Sequence, residues 1–146
     1  MENLTMTNAL DITNQVFLAA QNRNTAPLTV AILDKGGALI SLQRQDGSSM
    51  MRPEIAIGKA WGALALGCSS RKIADDAQAR PSFISSVSTL AHGNLVPVAG
   101  GVLIRDEQST LLGAVGVSGD ISDTDEEVAI AGIIAAHFNT DHSLNS

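Results

Sequence analysis

The stretch from Ala99 to Ala136, AGGVLIRDEQSTLLGAVGVSGDISDTDEEVAIAGIIAA, constrains the fold more than any other part of the chain. Val102–Ile104 and Leu111–Val117 read as two strands, and the charged run Arg105-Asp106-Glu107-Gln108-Ser109 reads as the hairpin loop between them. Gly113 and Gly116 fall inside the second strand, where glycine marks a bulge or the close approach of another backbone or a ligand. Ser118-Gly119-Asp120 leaves that strand and a helix follows. Ser122 with Asp125, or Thr124 with Glu127, is expected to cap it, and the acidic first turn suits the positive end of the helix dipole.

Upstream, apolar residues at Ala9, Ile12, Val16, Ala19 and Ala20 recur at helical spacing between Thr7 and Asn22. Leu28–Leu33 is apolar on both alternating faces apart from Thr29, which suits a strand covered on both sides. Asp34-Lys35-Gly36-Gly37 supplies a turn, and Ala38–Gln43 is expected to return beside the first strand. After Pro53 comes a helix with two apolar stripes. Ala56, Ala60, Ala63 and Gly67 form a smooth one that lets the helix lie close to a sheet, while Ile57, Trp61, Leu64 and Cys68 form a second, to be met by another helix or another subunit. Arg71–Ala79 and Pro81–Leu90 read as short helices. Leu95–Val98, interrupted by Pro97, reads as an edge strand.

The order α-β-β-α-α-α-β-β-β-α implies an α/β (α+β) fold with an antiparallel sheet of about five strands and helices on both faces. At 146 residues the chain suits a single domain, with a core over about residues 7–138 and a flexible tail over 139–146. With 45% hydrophobic and only 3% aromatic residues, its core is built from Ala, Val, Ile and Leu. A net charge of −6 repels a phosphate backbone and aromatic stacking platforms are scarce, so nucleic acid is not an expected partner. The single Cys68 excludes an internal disulfide and a Cys-rich zinc site. The N-terminus lacks a secretory pattern and no apolar run approaches transmembrane length, so a cytoplasmic protein with no membrane partner is expected.

GAVGVSGD…DEEVAIAG resembles the closing strand and helix of the GlcG/HbpS family, which is related to the C-terminal domain of PduO-type proteins. TVAILDKGGALISLQRQDG is similar to that family's first hairpin and EIAIGKAWGALALG to its central helix, in the same order along the chain. The resemblance implies a profilin-like fold and, since members bind haem, an oligomeric haem- or tetrapyrrole-binding accessory or sensor module. Relatives often carry a proline two residues after the glycine pair Gly100-Gly101; here Leu103 stands in its place.

No catalytic signature is legible: there is no G-x-S-x-G elbow, no P-loop and no H-E-x-x-H. Ser118, between two glycine-rich steps, reads as a strand-end residue. His137 and His142 miss the i, i+4 metal spacing and read as solvated tail residues. His92, in a Gly-Asn loop, is the preferred axial ligand should haem bind, ahead of Cys68, Met50 and Met51. Gly100 and Gly101 either relieve crowding or admit a flat ligand to the backbone. Lys59 stands alone in an apolar helix, where it snorkels, pairs with Glu54 or Asp46, or binds a ligand carboxylate with Arg44 or Arg52 assisting. Two further readings stand beside haem. One is an enzyme acting on a small carboxylated metabolite, with Asp34, Asp120 or His92 moving a proton. The other is a homo-oligomeric scaffold joined through helix Ile55–Leu66.

Overall fold

The computed structural model describes residues 3–141. Five helices and four strands follow one another as α1 (Met6–Asn22), β1 (Thr29–Asp34), β2 (Leu39–Arg44), α2 (Arg52–Leu66), α3 (Ser70–Ala79), α4 (Pro81–Leu90), β3 (Gly101–Arg105), β4 (Leu111–Ser118) and α5 (Ser122–Ala135). The sheet runs β2-β1-β4-β3, antiparallel throughout. Strand alternation sends Val30, Ile32, Val102, Ile104, Val115 and Val117 to one face, against Ile12 and Val16 of α1 and Val128 and Ile133 of α5. Burying aliphatic side chains of this size contributes about 1.5–3 kcal/mol each. Leu33, Leu103 and Ala114 lie on the other face, against Ala60 and Ala63 of α2. Helices therefore cover both faces, as the sequence implied.

Both expected roles of glycine in β4 are realised. The β3–β4 register slips beside Gly113, where Ile104 faces Gly113 but Arg105 faces Leu111, so Leu112 is the extra residue of a bulge. At Gly116 a Cβ would run into the Ala56 carbonyl, so this glycine lets α2 lie directly on the strand.

The sheet has four strands rather than five. Leu95–Val98 lies on α2 instead: the Val96 N–H donates to the Gly58 carbonyl at 3.2 Å and the Val98 N–H turns back to the Val96 carbonyl at 2.9 Å. Pro97 has no N–H to give a ladder, and Leu95 turns inward onto Ile73 and Ile84. That small cluster, carried by α3 and α4, also receives Trp61 and Cys68, so this part of the second stripe meets a helix pair of its own chain. Neither expected cap of α5 forms. Ile121 is the N-cap without a side-chain bond, because Asp125 faces Lys59 and Glu127 pairs with Arg23. Residues 139–141, expected in a loose tail, instead continue the fold: Asn139 exchanges backbone hydrogen bonds with Arg105 at 2.8 and 2.9 Å, Thr140 is buried, and Asp141 pairs with Arg105. His142 lies outside the described residues. No helix among them is long and apolar enough to cross a membrane.

Candidate functional site

Three segments end side by side where β1 begins: the last residues of β2, the last residues of β4 and the first turn of α2. Thr29 of β1 faces both Arg44 and Ser118 across the sheet. Buried hydroxyls fill this corner, with Thr29 Oγ1 and Ser48 Oγ 3.0 Å apart. Two arginines close over it. Arg44 donates through Nη1 to the Ser48 carbonyl at 2.7 Å. Arg52, the first residue of α2, donates through Nη1 to Ser118 Oγ at 3.1 Å and through Nε to Ser49 Oγ at 3.3 Å. Between them the loop exposes Met50 and Met51, 85% and 60% accessible.

Lys59 lies two turns further along α2 and is only 2% exposed. Its Nζ donates to the Val117 carbonyl at 2.9 Å and to Asp125 Oδ2 at 3.0 Å, while Asp125 Oδ1 accepts the Asp120 N–H at 3.0 Å. The partners expected for Lys59, Glu54 and Asp46, are not the ones it takes. Burial pushes the Lys59 ammonium below its ordinary pKa, against the pull of Asp125, and pushes the Asp125 carboxyl above its own, against the pull of Lys59. Sequence reasoning missed Asp125 as a site residue. Its one signal was an acidic side chain on the otherwise core-facing run Asp125-Glu126-Val128-Ala129.

Gly100 and Gly101 join the same network. The Gly100 carbonyl accepts the Val117 N–H at 3.0 Å, and at φ 130° a Cβ on Gly100 would stand 2.8 Å from Lys59 Nζ. A Cβ on Gly101 would strike the Lys59 carbonyl, and the Gly101 N–H donates to Ser70 Oγ at 2.7 Å. The room at this pair is taken by Lys59 and Ser70. His92 stands apart. It is exposed, at φ 54° in the turn that ends α4, and the chain reaches α2 only two residues later, where Asn94 and Val96 pass over Gly58.

The other candidates are occupied elsewhere. Asp34 accepts the Gly36 and Ala38 N–H groups of the β1–β2 turn. Asp120 accepts from Ala26 and Ile121, which holds its carboxyl below the usual range. Burial raises the Cys68 thiol, keeping it from the thiolate form that binds metals well. His137 is exposed just beyond α5. No group of three or more His, Cys, Asp or Glu able to hold a metal ion occurs among the described residues.

A family model described as haem degrading protein HbpS-like matches residues 4–134. The chain belongs to this HbpS-like family. The HbpS-like chain is 30% identical over 115 residues to the corrinoid adenosyltransferase PduO of Salmonella typhimurium strain LT2, covering 78% of this chain and 33% of PduO. It therefore spans about a third of that relative's length. A solved structure described as a PduOC:heme complex superimposes with a TM-score of 0.84 at 24% identity, over 94% of this chain and 98% of that one. The crystal structure of HbpS superimposes with a TM-score of 0.78 at 23% identity, over 92% of this chain and 91% of its own. At these identities the two structures establish a shared fold.

Proposed function

We propose that this protein binds haem or a related tetrapyrrole as an accessory or sensor module, with Arg44 and Arg52 holding the ligand's carboxylates and His92 offered to the iron. One observation carries the reading. Arg23, Arg71, Arg80 and Arg105 each have a carboxylate partner, whereas Arg44 and Arg52, on either side of one loop, have none among the described residues and rest on hydroxyls and a carbonyl. Planar donors so placed suit a ligand that brings its own carboxylates.

Donors of the types a haem iron takes are exposed, Met50 and Met51 between the two arginines and His92 apart from them. A porphyrin supplies four nitrogens to its iron and asks the protein for one or two axial donors, and His92, Met50 and Met51 all face solvent. Fold kinship with the PduOC:heme structure supports the same reading. When bound, the iron supplies redox and axial-ligation chemistry; the chain holds and orients the group. Lys59 is committed to internal partners and Gly100-Gly101 seat it, so these three serve the site from beneath. Copies assemble through the outer face of α2 between Ile55 and Leu66, where Trp61 and Leu64 remain half-buried, and the protein works in the cytoplasm. Turnover of a small carboxylated metabolite is less favoured, because Asp34 and Asp120 are both used as turn acceptors.

The test is a haemin titration of the apo-protein followed at the Soret band, repeated with haemin dimethyl ester, which lacks the carboxylates. Saturable binding that prefers the free acid, loses that preference in Arg44→Gln and Arg52→Gln, and changes its spectrum in His92→Ala is expected. Absorbance that never saturates and is equal in all variants overturns the haem reading.

A further inference from the structure

We propose that Lys59 and Asp125 are positioning residues for Arg52: the buried pair fixes the end of β4, and with it the Ser118 hydroxyl on which the Arg52 guanidinium rests. The inference builds on the reading that Arg52 holds a ligand carboxylate.

The geometry runs through one peptide plane. Lys59 Nζ holds the Val117 carbonyl at 2.9 Å, and that carbonyl shares its rigid peptide unit with the Ser118 nitrogen. Fixing one end fixes the direction in which Ser118 leaves the strand. Ser118 is fully buried, and its Oγ takes Arg52 Nη1 at 3.1 Å. From the opposite side of the sheet Asp125 grips the same turn twice, through Lys59 at 3.0 Å and through the Asp120 N–H at 3.0 Å. The Gly100 carbonyl holds the Val117 N–H at 3.0 Å, so the residue before Ser118 is bound on both its polar groups.

Charge gives a second reason for the pair. Arg52 and Lys59 are like charges on one helix, and the Arg52 charge opposes protonation of Lys59. Asp125 is the counter-charge that lets both cations face the end of β4, so that Arg52 can remain without a carboxylate of its own. Lys59 itself is sealed behind Gly100 and Gly101, which leaves it no surface from which to touch a ligand.

The experiment is a double-mutant cycle read as the preference for haemin over haemin dimethyl ester. Arg52→Gln is expected to lower that preference about tenfold, the size of one charge-assisted hydrogen bond. The paired change Lys59→Met with Asp125→Leu, which removes both buried charges together, is expected to lower it several-fold in the native background. In the Arg52→Gln background it should lower it no further. Ser118→Ala leaves the buried pair in place and runs through the same cycle where the core variant does not fold, with the same result expected. Full preference in the paired variant, or losses that multiply with that of Arg52→Gln, overturns the positioning role. If Arg52→Gln itself leaves the preference intact, the carboxylate reading fails first and takes this inference with it.

Discussion

Replacing Asp125 with Leu leaves the Lys59 ammonium buried with only the Val117 carbonyl as acceptor, and also strips the Asp120 N–H of its partner. Breaking a buried pair by removing one member costs about 3–5 kcal/mol, mostly from the uncompensated charge. The orphaned and half-buried Asp120 N–H adds about 1 kcal/mol. Lys59→Met together with Asp125→Leu removes both charges and retains that second cost together with the loss of the Lys59 donor to the Val117 carbonyl, so the double variant should lie within about 2–3 kcal/mol of the native protein. For a chain of this size 1 kcal/mol moves the melting temperature by about 2–4 °C. The single variant is then expected to melt about 8–24 °C lower and the double variant about 4–12 °C lower. Urea unfolding followed by the fluorescence of Trp61, the one tryptophan, gives the free energies directly. Lys59→Met alone adds a pH signature. Burial already raises the Asp125 pKa, and loss of Lys59 removes the group that opposes that rise. A raised folded pKa means stability fully present below the unfolded carboxyl pKa and lost as pH climbs through the folded one, so this variant should lose stability relative to the native protein as pH rises from the acid side of the unfolded pKa. Single variants that each lose less than about 1 kcal/mol, or a double variant that loses their sum, would refute the reasoning.

Gly116→Ala places a methyl against the Ala56 carbonyl and should cost at least about 1–3 kcal/mol in urea unfolding, since neither backbone can retreat. Gly67, at φ 71° with open space around it, should tolerate Ala at a cost of about 1–2 kcal/mol, the left-handed backbone alone, and Asn at less. Asp120, held ionised below its usual range by two backbone N–H groups, contributes stability above the unfolded carboxyl pKa that is lost as pH falls through the lowered one. Asp120→Asn should therefore flatten the acid limb of a stability profile, and an unchanged limb would remove it from that role. Trp61→Glu is expected to yield monomers by sedimentation if copies meet through α2, and an intact assembly would discard that face.

Most elements were legible because their signals are local. The period of α1, the double-sided apolarity of β1, the Asp-Lys-Gly-Gly turn and the charged β3–β4 loop each declare themselves within a few residues, and their bounds agree with the structure to within a residue or two. Leu95–Val98 misled because a short apolar run fits a strand edge and the back of a helix equally well, and only Leu95 packing on Ile73 and Ile84 decides between them. Lys59 was conspicuous, but its partner lies on a helix across the sheet, and helical spacing reports only neighbours on the same helix. Arg44 and Arg52 were recognisable by type. That they alone of the arginines lack a carboxylate partner among the described residues follows from where those residues' acidic side chains end up in three dimensions.

The pairing of β1 with β4 has a consequence for how the chain reaches this structure. Leu33 lies opposite Ala114 and Thr29 opposite Ser118, and α1 packs on α5, so the first and last thirds of the chain complete each other. Until β4 leaves the ribosome, β1 has β2 along one edge and nothing along the other, while both its faces are apolar. Closing so long a loop is entropically slow, and a nascent chain would wait with its stickiest strand half-paired. Completion of the sheet therefore waits on the last third of the chain.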